Sequence, residues 1–368
     1  MIASRPAADM PEGRAQLNEA LRRAMPVTRL VDYGVPLGDA LAVHARTADE
    51  VPECWDEVCE QLAASYAQLA LEAVASGSSV TASESWRAAS ALYQAAQLAF
   101  NADSPRKLSL YDAGRSAMGA LAALGEGIAP LALPSPAGML YGWQIVAGAM
   151  RPTAAVIIIG GLSGWGSVYL DMAQALARRG LLCLLAEGPG QGSSRFESGI
   201  HLDASTLPLF SRFVDHAKSC GAARVGVWGN SFGGLFAAHL AAADPRVSAV
   251  CINGAPMEPS VPSFRTAREQ MQAVMGIDDE VSLAEGLASL HMHPSRHCIG
   301  GAMLVVEGGR DPMVPLGQQR SFFDLLTTDR RTLMTWPDGE HTIYNHAAQR
   351  NARVADWFRA ALPEKQAN

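Results

Sequence analysis

The sequence has little charge and no long apolar or basic run. Charged residues make up 18% of its 368 residues, the formal net charge is −7, and lysine and arginine form no dense cluster. Such a chain lacks the basic surface that binds nucleic acid or an anionic membrane, so we expect neither partner. A small-molecule substrate is the expected partner, and the Ala-rich N-terminal region leaves a homodimer open.

Targeting signals are also scarce in the sequence. No stretch approaches the roughly 18 apolar residues that a membrane span requires. The N-terminal residues 1–6 lack the long apolar core of a secretion signal. We therefore expect a cytoplasmic protein.

Cysteine is infrequent, and its six positions are scattered. Cys183 and Cys251 lie in apolar runs typical of buried strands, which favours reduced thiols that fill space. One group of residues resembles a metal cluster by type: His291, His293, His297 and Cys298. Its spacing matches no zinc pattern, so we expect no metal, and we expect no cofactor.

Hydrophobic residues are abundant, at 49%, which is enough for a sizeable core. Residues 1–130 show Ala/Leu periodicity that predicts helices at 55–75, 83–99 and 109–124, with no strand pattern between them. Near Pro130 short strands replace long helices. We therefore predict an N-terminal helical domain at 1–130 and a second domain at 131–368.

The second domain alternates apolar strands with helices. Continuous apolar strands joined by helices predict an α/β fold, with a mostly parallel sheet covered by helices on both faces. The predicted strands after two short initial ones are 154–159, 181–186, 224–228, 247–252, 302–307 and 332–336. The predicted helices are 168–179, 207–219, 232–243, 316–326 and 343–362.

One interval of the second domain, about 254–300, is too long for a simple connection between a strand and a helix. It contains helical patterns at 264–275 and 281–290. Because it follows the strand after the candidate nucleophile helix, we predict an inserted cap that excludes water from the site.

Ser231 is the candidate nucleophile. The segment Gly229-Asn230-Ser231-Phe232-Gly233 matches the G-x-S-x-G nucleophile elbow, with a strand pattern before it and a helical pattern after it. Side chains at Gly229 and Gly233 would collide with a sharply turned backbone. The helix start adds free N–H groups and a partial positive charge near the serine. This context favours a nucleophile over a glycine-rich turn without chemistry.

A serine hydroxyl needs a base, and the base needs an acid that orients it. In the fold that carries the elbow, the chain order is serine, acid, histidine, with acid and base in loops after the last strands. Asp311 follows strand 302–307 and His341 follows strand 332–336, so we predict Asp311 as the acid and His341 as the base. Asp338 and Glu340 are alternative acids that fit less well, since they lie beside His341 in the sequence.

Two backbone N–H groups are expected to stabilise an oxyanion. One belongs to Phe232, the residue after the nucleophile. The other comes from the glycine-rich loop after strand 154–159, at Leu162 or at Gly161, where missing side chains let the backbone approach a substrate. This loop lacks the G-K-[ST] ending of a phosphate-binding loop, so nucleotide binding is not expected.

A second glycine-rich loop, Glu187-Gly188-Pro189-Gly190-Gln191-Gly192, follows strand 181–186. We interpret it as a turn that shapes the rim of the site, because only Glu187 in it is a plausible catalytic group.

Together these motifs resemble the α/β-hydrolase superfamily over about residues 131–368. The helical N-terminal region and the three glycine-rich motifs are similar to a narrower group, which contains 2,6-dihydroxypseudooxynicotine hydrolase, fungal polyketide chain-shortening hydrolases and the fermentation-respiration switch protein. The resemblance implies an α/β-hydrolase fold and a catalytic triad of Ser231, Asp311 and His341. It also implies that the N-terminal helices form part of a lid.

Several members of the narrower group cleave a carbon–carbon bond beside a ketone. The resemblance to the pseudooxynicotine enzyme implies a further glutamate near the pocket, for which Glu258 is the candidate. Trp165, in the loop of the second oxyanion donor, is a further candidate substrate-binding residue.

The leading hypothesis is a serine hydrolase that acts through an acyl-enzyme on a small ketone- or ester-containing substrate. Hydrolysis of a C–C bond in a β-diketone or polyketide-like compound is the specific form that the resemblance implies. A carboxylesterase or thioesterase is the nearest alternative. A non-catalytic regulatory binding protein on a hydrolase fold is the alternative of another class.

Overall fold

The structure is a computed structural model that describes residues 11–148 and 152–363. Within these residues, no helix is long and apolar enough to cross a membrane. The expectation that no secretion signal is present concerns residues 1–6, which lie outside the described residues. Contacts between Cα atoms divide the chain into two units, Met1–Glu126 and Gly127–Asn368.

The first unit is helical over its described residues. Predicted helices 55–75, 83–99 and 109–124 correspond to three long helices, the last of which begins with Pro105 and a cap in which Ser104 Oγ accepts the Lys107 N–H at 3.2 Å. The helices of this unit are α1 (Pro11–Ala24), α2 (Val27–Asp32), α3 (Leu37–Arg46), α4 (Trp55–Ala75), α5 (Ser79–Gln97) and α6 (Pro105–Ala123).

The second unit contains an eight-stranded sheet. Its strands are β1 (Ile128–Ser135), β2 (Gly138–Ile145), β3 (Ala154–Ile159), β4 (Leu182–Glu187), β5 (Arg224–Asn230), β6 (Val247–Asn253), β7 (Ala302–Gly308) and β8 (Arg331–Trp336). The strand order is β1-β2-β4-β3-β5-β6-β7-β8. The β1–β2 and β2–β4 pairs are antiparallel, and all other pairs are parallel. This confirms the predicted mostly parallel sheet.

Burial explains why the central strands are continuous apolar runs. Every residue of β3, β4 and β7 is buried, because helices cover both faces of the sheet. The edge strand β8 instead alternates between exposed and less exposed positions. The first strand begins at Ile128, before the predicted change at 130, since Ile128 pairs with Ile145 across the hairpin. Pro130 is tolerated there because β1 is an edge strand.

The helices of the second unit are mostly shorter than predicted. They are α7 (Leu170–Ala177), α8 (Gly192–Phe196), α9 (Ser211–Ser219), α10 (Phe232–Ala243), α11 (Arg265–Met275), α12 (Glu280–Ser289), α13 (Leu316–Arg320) and α14 (Ala347–Ala361). Several predicted helices are shortened by a 3₁₀ turn at one end, as at Leu207–Phe210 and Ser321–Leu325. Helix α14 begins at Ala347 rather than at 343, because the preceding residues Thr342 and Ile343 have left-handed backbone angles.

The loops that carry the predicted site residues all follow the carboxyl ends of strands. Gly161 follows β3, Ser231 follows β5, Asp311 follows β7 and His341 follows β8. Carboxyl ends of parallel strands share one edge of a sheet, which is where ligands bind in such folds. The insertion after β6 contains α11 and α12, as the helical patterns predicted. The carbonyl of Val274, in α11, accepts a hydrogen bond from the Leu202 N–H at 3.0 Å.

Candidate active site

Ser231 lies on a sharp turn between β5 and α10. Its backbone angles are φ 53° and ψ −134°, a region that residues other than glycine rarely adopt. A Cβ at Gly229 would collide with the carbonyl oxygen of Gly233, and a Cβ at Gly233 would collide with that of Gly160. The turn therefore requires glycine on both sides of the serine, as the elbow motif predicts.

The structure brings the three predicted triad side chains into one hydrogen-bonded chain. His341 Nε2 lies 2.8 Å from Ser231 Oγ, and His341 Nδ1 lies 2.9 Å from Asp311 Oδ2. An ionised carboxylate only accepts hydrogen bonds, so Nδ1 carries the proton and Nε2 of the neutral ring accepts from the serine hydroxyl. This arrangement can remove the serine proton and orients the ring for that purpose.

Asp311 is held by its own loop. Its Oδ1 accepts the backbone N–H groups of Met313 at 2.7 Å and Val314 at 3.0 Å, which leaves Oδ2 for the histidine. Gln319, which is fully buried, donates from Nε2 to the Val314 carbonyl at 2.7 Å and lies 3.5 Å from Asp311 Oδ2. The Asp311 side chain is only 1% exposed. A buried acid with a fixed free oxygen suits the orienting role.

The alternative acids do not reach the base. Asp338 Oδ2 pairs with His346 Nε2 at 3.0 Å, and this hydrogen bond lowers the pKa of Asp338. Glu340 precedes His341, and its backbone N–H donates to Asn345 Oδ1 at 2.9 Å. Neither carboxylate contacts His341 Nδ1 in the described part of the chain, whereas Asp311 does.

The backbone after His341 is also strained. Thr342 and Ile343 have φ values of 55° and 62°, which β-branched residues rarely adopt. The Thr342 carbonyl accepts two side-chain donors, Asn253 Nδ2 at 3.0 Å and Arg350 Nη1 at 2.8 Å. Arg350 is fully buried on α14, and we infer that it and Asn253 hold this loop in its strained form.

Asn253 links the base loop to the nucleophile. Its carbonyl accepts the Ser231 N–H at 2.8 Å, and its Nδ2 also donates to Asn230 Oδ1 at 2.8 Å. Both asparagines are fully buried at the ends of neighbouring strands. Sequence reasoning missed Asn253, Arg350 and Gln319. Asn253 lies far in sequence from the Thr342 carbonyl, and Arg350 and Gln319 lie on the helices that follow the loops they hold, where no sequence pattern shows which carbonyl a side chain binds.

The predicted oxyanion donors belong to the first residue of α10 and to the loop after β3. Phe232 is the first residue of α10, so its N–H has no partner inside the helix. A Cβ at Gly161 would come within 2.9 Å of Ser231 Cβ, which brings the β3 loop directly against the nucleophile. No acceptor for the N–H of Phe232 or Leu162 is found among residues 11–148 and 152–363. These N–H groups are therefore available for an oxyanion.

The loop after β4 contains a polar residue that sequence reasoning also missed. Gln191 is fully buried and donates to the carbonyl oxygens of the Gly160 loop. Glu187 has a structural role in the same turn, where its Oε2 accepts the Ser193 N–H at 2.9 Å. The only sequence signal for Gln191 was its position between two glycines, and an ordinary turn residue has the same position.

The two candidate substrate-binding residues differ in exposure. Trp165 is 2% exposed, and its Nε1–H has no acceptor among the described residues. Its ring lies 5.7 Å from the guanidinium carbon of Arg195. Glu258 is exposed in the loop after β6, and no hydrogen bond or ion pair joins it to the triad within the described ranges. Neither residue contacts Ser231 or His341 through a hydrogen bond there.

Cysteine does not offer an alternative nucleophile at the centre of the sheet. Burial raises the pKa of the Cys183 and Cys251 thiols well above its usual value. A thiol in this state carries little thiolate, the reactive form. Both residues are buried and free, as space-filling thiols are.

The candidate metal cluster engages other partners. His291 Nε2 lies 2.9 Å from the Pro259 carbonyl, and His293 Nδ1 lies 2.8 Å from Ser295 Oγ. No group of three or more His, Cys, Asp or Glu side chains within the described ranges is arranged to hold a metal ion.

Comparison with known proteins identifies similar hydrolases. The sequence profile of the prolyl oligopeptidase family matches residues 169–365. The 2,6-dihydropseudooxynicotine hydrolase of Paenarthrobacter nicotinovorans is 26% identical over 346 residues, which cover 90% of each chain. The crystal structure of 2,6-dihydroxy-pseudo-oxynicotine hydrolase has a TM-score of 0.80 at 22% identity, covering 91% of this chain and 95% of that one. Wild-type AbyA5 has a TM-score of 0.68 at 19% identity, covering 89% and 95%.

Proposed function

The chain belongs to the prolyl oligopeptidase family and is an α/β-hydrolase, and from this premise we propose that it hydrolyses a small ketone- or ester-containing substrate through an acyl-enzyme on Ser231. The observation that carries the proposal is the unbroken chain from Asp311 Oδ2 through the His341 ring to Ser231 Oγ, at 2.9 and 2.8 Å. A binding protein without catalysis has no need of this arrangement.

In the first step, His341 Nε2 takes the proton of the Ser231 hydroxyl while Oγ forms a bond to the substrate carbonyl carbon. The carbonyl π electrons move to the oxygen, which becomes an oxyanion. The N–H groups of Phe232 and Leu162, or of Gly161, donate to that oxygen. Asp311 stabilises the positive charge that forms on the His341 ring.

In the second step, the oxyanion collapses and the bond to the leaving group breaks. The leaving group takes the bonding electrons, and His341 Nε2–H delivers its proton to it. An ester releases an alcohol, whereas a β-diketone releases a ketone, formed when the leaving carbanion, which the remaining carbonyl stabilises, takes the proton from His341. Water then attacks the acyl-enzyme with His341 again as the base, which frees Ser231 and the acid product.

The choice of a C–C bond is supported by the relatives. The hydrolase from Paenarthrobacter nicotinovorans is similar over 90% of both chains, and members of the group that the sequence resembles cleave a carbon–carbon bond beside a ketone. We therefore propose aryl or alkyl β-diketones as the first substrate class to screen. Ester hydrolysis uses the same steps and is the second class in that screen.

The test is intact-mass spectrometry after exposure to a fluorophosphonate, with Ser231→Ala as the matched control. We expect one adduct on the wild type and none on the variant, because only an activated serine attacks phosphorus rapidly. Turnover of β-diketones and p-nitrophenyl esters should fall by about 10⁴-fold or more in the variant. Circular dichroism should be the same for both proteins.

Either of two results contradicts the proposal. If the wild type is not labelled, Ser231 is not an activated nucleophile. If Ser231→Ala turns over substrate at the wild-type rate, another group performs the chemistry. Hydrolysis of esters without any β-diketone turnover would retain the triad and reject the C–C bond assignment.

A further inference from the structure

Gln191 connects the loop after β4 to the loop that carries the second oxyanion donor. Its side chain is fully buried. Its Nε2 donates to the Gly160 carbonyl at 2.6 Å and lies 3.3 Å from the Gly161 carbonyl oxygen. Its Oε1 accepts the Gly188 N–H at 3.2 Å. Both ends of the amide are therefore used, and the acceptor end fixes the direction in which the donor end points.

Those two carbonyls determine where the candidate oxyanion donors point. The Gly160 carbonyl shares a peptide plane with the Gly161 N–H, and the Gly161 carbonyl shares one with the Leu162 N–H. No peptide bond is cis within the described ranges, and in a trans peptide the C=O and N–H point in opposite directions. Since both carbonyls face Gln191, both N–H groups face away from it.

Glycine makes this restraint necessary. Without a Cβ, the planes on either side of Gly161 can rotate at little steric cost. A Cβ at Gly161 would come within 2.9 Å of Ser231 Cβ and 3.2 Å of Ser231 Oγ, so a side chain cannot provide the restraint without disturbing the nucleophile. A hydrogen bond to the carbonyls restrains the planes and leaves the side facing the serine open.

We propose that Gln191 is a positioning residue that orients the Gly161 and Leu162 N–H groups toward the oxyanion. The inference rests on the proposed function, since it concerns the donors of that same site. Within the described ranges, the hydrogen bonds of the Gln191 side chain go to Gly160, Gly161 and Gly188 and not to a triad residue. Gln191 acts through the peptide planes of the β3 loop, in the way that Gln319 acts through the loop of Asp311.

The test compares Gln191→Met with Gln319→Met, which removes the other fully buried glutamine beside the triad. The readouts are the rate constant of fluorophosphonate labelling, and kcat, KM and the pH profile of kcat/KM. In Gln191→Met we expect labelling and kcat to fall by about 10²-fold, because a misdirected donor acts mainly in the transition state. We expect KM to change by less than about threefold and the pH profile to keep its apparent pKa, since the triad is intact.

Gln319→Met gives the opposite pattern if the two glutamines have separate roles. Gln319 holds the loop of Asp311, the acid that orients His341, so the apparent pKa of the kcat/KM profile should shift in Gln319→Met. Labelling of Gln191→Met at the wild-type rate overturns the inference, as does a shifted apparent pKa that matches Gln319→Met. Failure to label the wild type contradicts the proposed function instead, so the two failures are distinguishable.

A second variant keeps the inference testable if Gln191→Met unfolds, as thermal unfolding would report. Gln191→Glu keeps the shape and the Oε1 acceptor but donates to the Gly160 carbonyl only when the carboxyl is protonated. The ratio of its labelling rate to the wild-type rate should therefore rise as pH falls. A ratio that is independent of pH overturns the inference, because a side chain that only fills space would have the same effect whether its carboxyl is protonated or not.

Discussion

The nucleophile and the base of the candidate triad both lie beside strained backbone, but the strain is maintained differently. At Ser231 the neighbours are Gly229 and Gly233, whose missing side chains leave room for the turn. At His341 the strained residues are Thr342 and Ile343, which are β-branched, and the supporting donors are Asn253 and Arg350. The elbow has its two glycines within five consecutive residues, whereas the base loop depends on donors from the distant strand β6 and from α14, the helix that follows the loop.

This difference shows how the two halves of the site can fail. The elbow fails when an added atom occupies the space of a glycine, since backbone lies directly behind it. The base loop fails when one of these donors is lost, because a β-branched residue in the left-handed region relaxes if nothing holds it. Substitutions in the two regions therefore test different physical causes.

The largest effect is expected for Gly233→Ala, which places a Cβ against the carbonyl oxygens of Ile159 and Gly160. The clash displaces both the elbow and the oxyanion loop, so kcat/KM should fall by about 10³-fold. The free energy of unfolding should fall by about 2–3 kcal/mol, measured by urea denaturation. The matched control is Gly119→Ala in α6, where a new Cβ meets no heavy atom within 4 Å. That change should stabilise the helix by about 0.5–1 kcal/mol; equal losses in both variants would contradict a steric cause.

An intermediate effect is expected for Arg350→Met, which removes the 2.8 Å hydrogen bond to the Thr342 carbonyl. A loosened base loop should lower kcat/KM by about 10–100-fold, and loss of the buried donor should cost about 2–3 kcal/mol of stability. The control on the same helix is Arg353→Met, an exposed residue whose guanidinium lies 4.9 Å from the Trp336 ring centroid. It should cost less than about 1 kcal/mol and leave kcat/KM unchanged. If both variants retain wild-type activity, the base loop does not need Arg350.

The smallest effect concerns His239, which attaches the nucleophile helix α10 to the residue after α12. Its Nε2 lies 2.9 Å from the Leu290 carbonyl, so the neutral ring donates there. Burial lowers the pKa of His239 despite this hydrogen bond, with a smaller contribution from the nearby His297. At His239 the unfolded chain therefore binds a proton more readily than the folded chain. The neutral ring contributes stability that is complete above the ordinary histidine pKa of about 6.5 and is lost as pH falls below it.

His239→Gln removes this titration and isolates its effect. Between pH 7.5 and pH 5, the urea midpoint should fall more steeply in the wild type than in the variant. The corresponding loss in free energy of unfolding should be smaller than the losses expected for Gly233→Ala and Arg350→Met. Parallel curves would mean that the proton binds equally to the folded and unfolded chains at this site.

Local patterns were sufficient for much of the fold. Strand 154–159 and helix 232–243 are predicted with the bounds that the structure has, because both are continuous segments that end at glycine or at a polar turn. The helix predicted at 343–362 begins later, at Ala347, because non-local hydrogen bonds keep Thr342 out of the helical region. The elbow was also visible in the sequence, since Gly229 and Gly233 stand at a fixed spacing on either side of Ser231.

The sequence by itself determined the residue types that perform chemistry and their order along the chain. Periodicity fixed the α/β class, and the spacing of Gly229, Ser231 and Gly233 fixed a turn that only glycine allows. Chain order then selected Asp311 and His341, although Asp338 and Glu340 remained alternatives. Such features are readable because their causes lie within one turn or one strand.

Only the tertiary structure decided which carboxylate faces His341 and which side chains hold the loops. Asp311 reaches the ring because β7 ends beside β8, a matter of strand order that no local pattern contains. Gln191 and Arg350 act on carbonyls of other loops, at Gly160 and Thr342. A backbone carbonyl has the same chemistry at every residue, so its partner can be recognised only after folding has brought the two together.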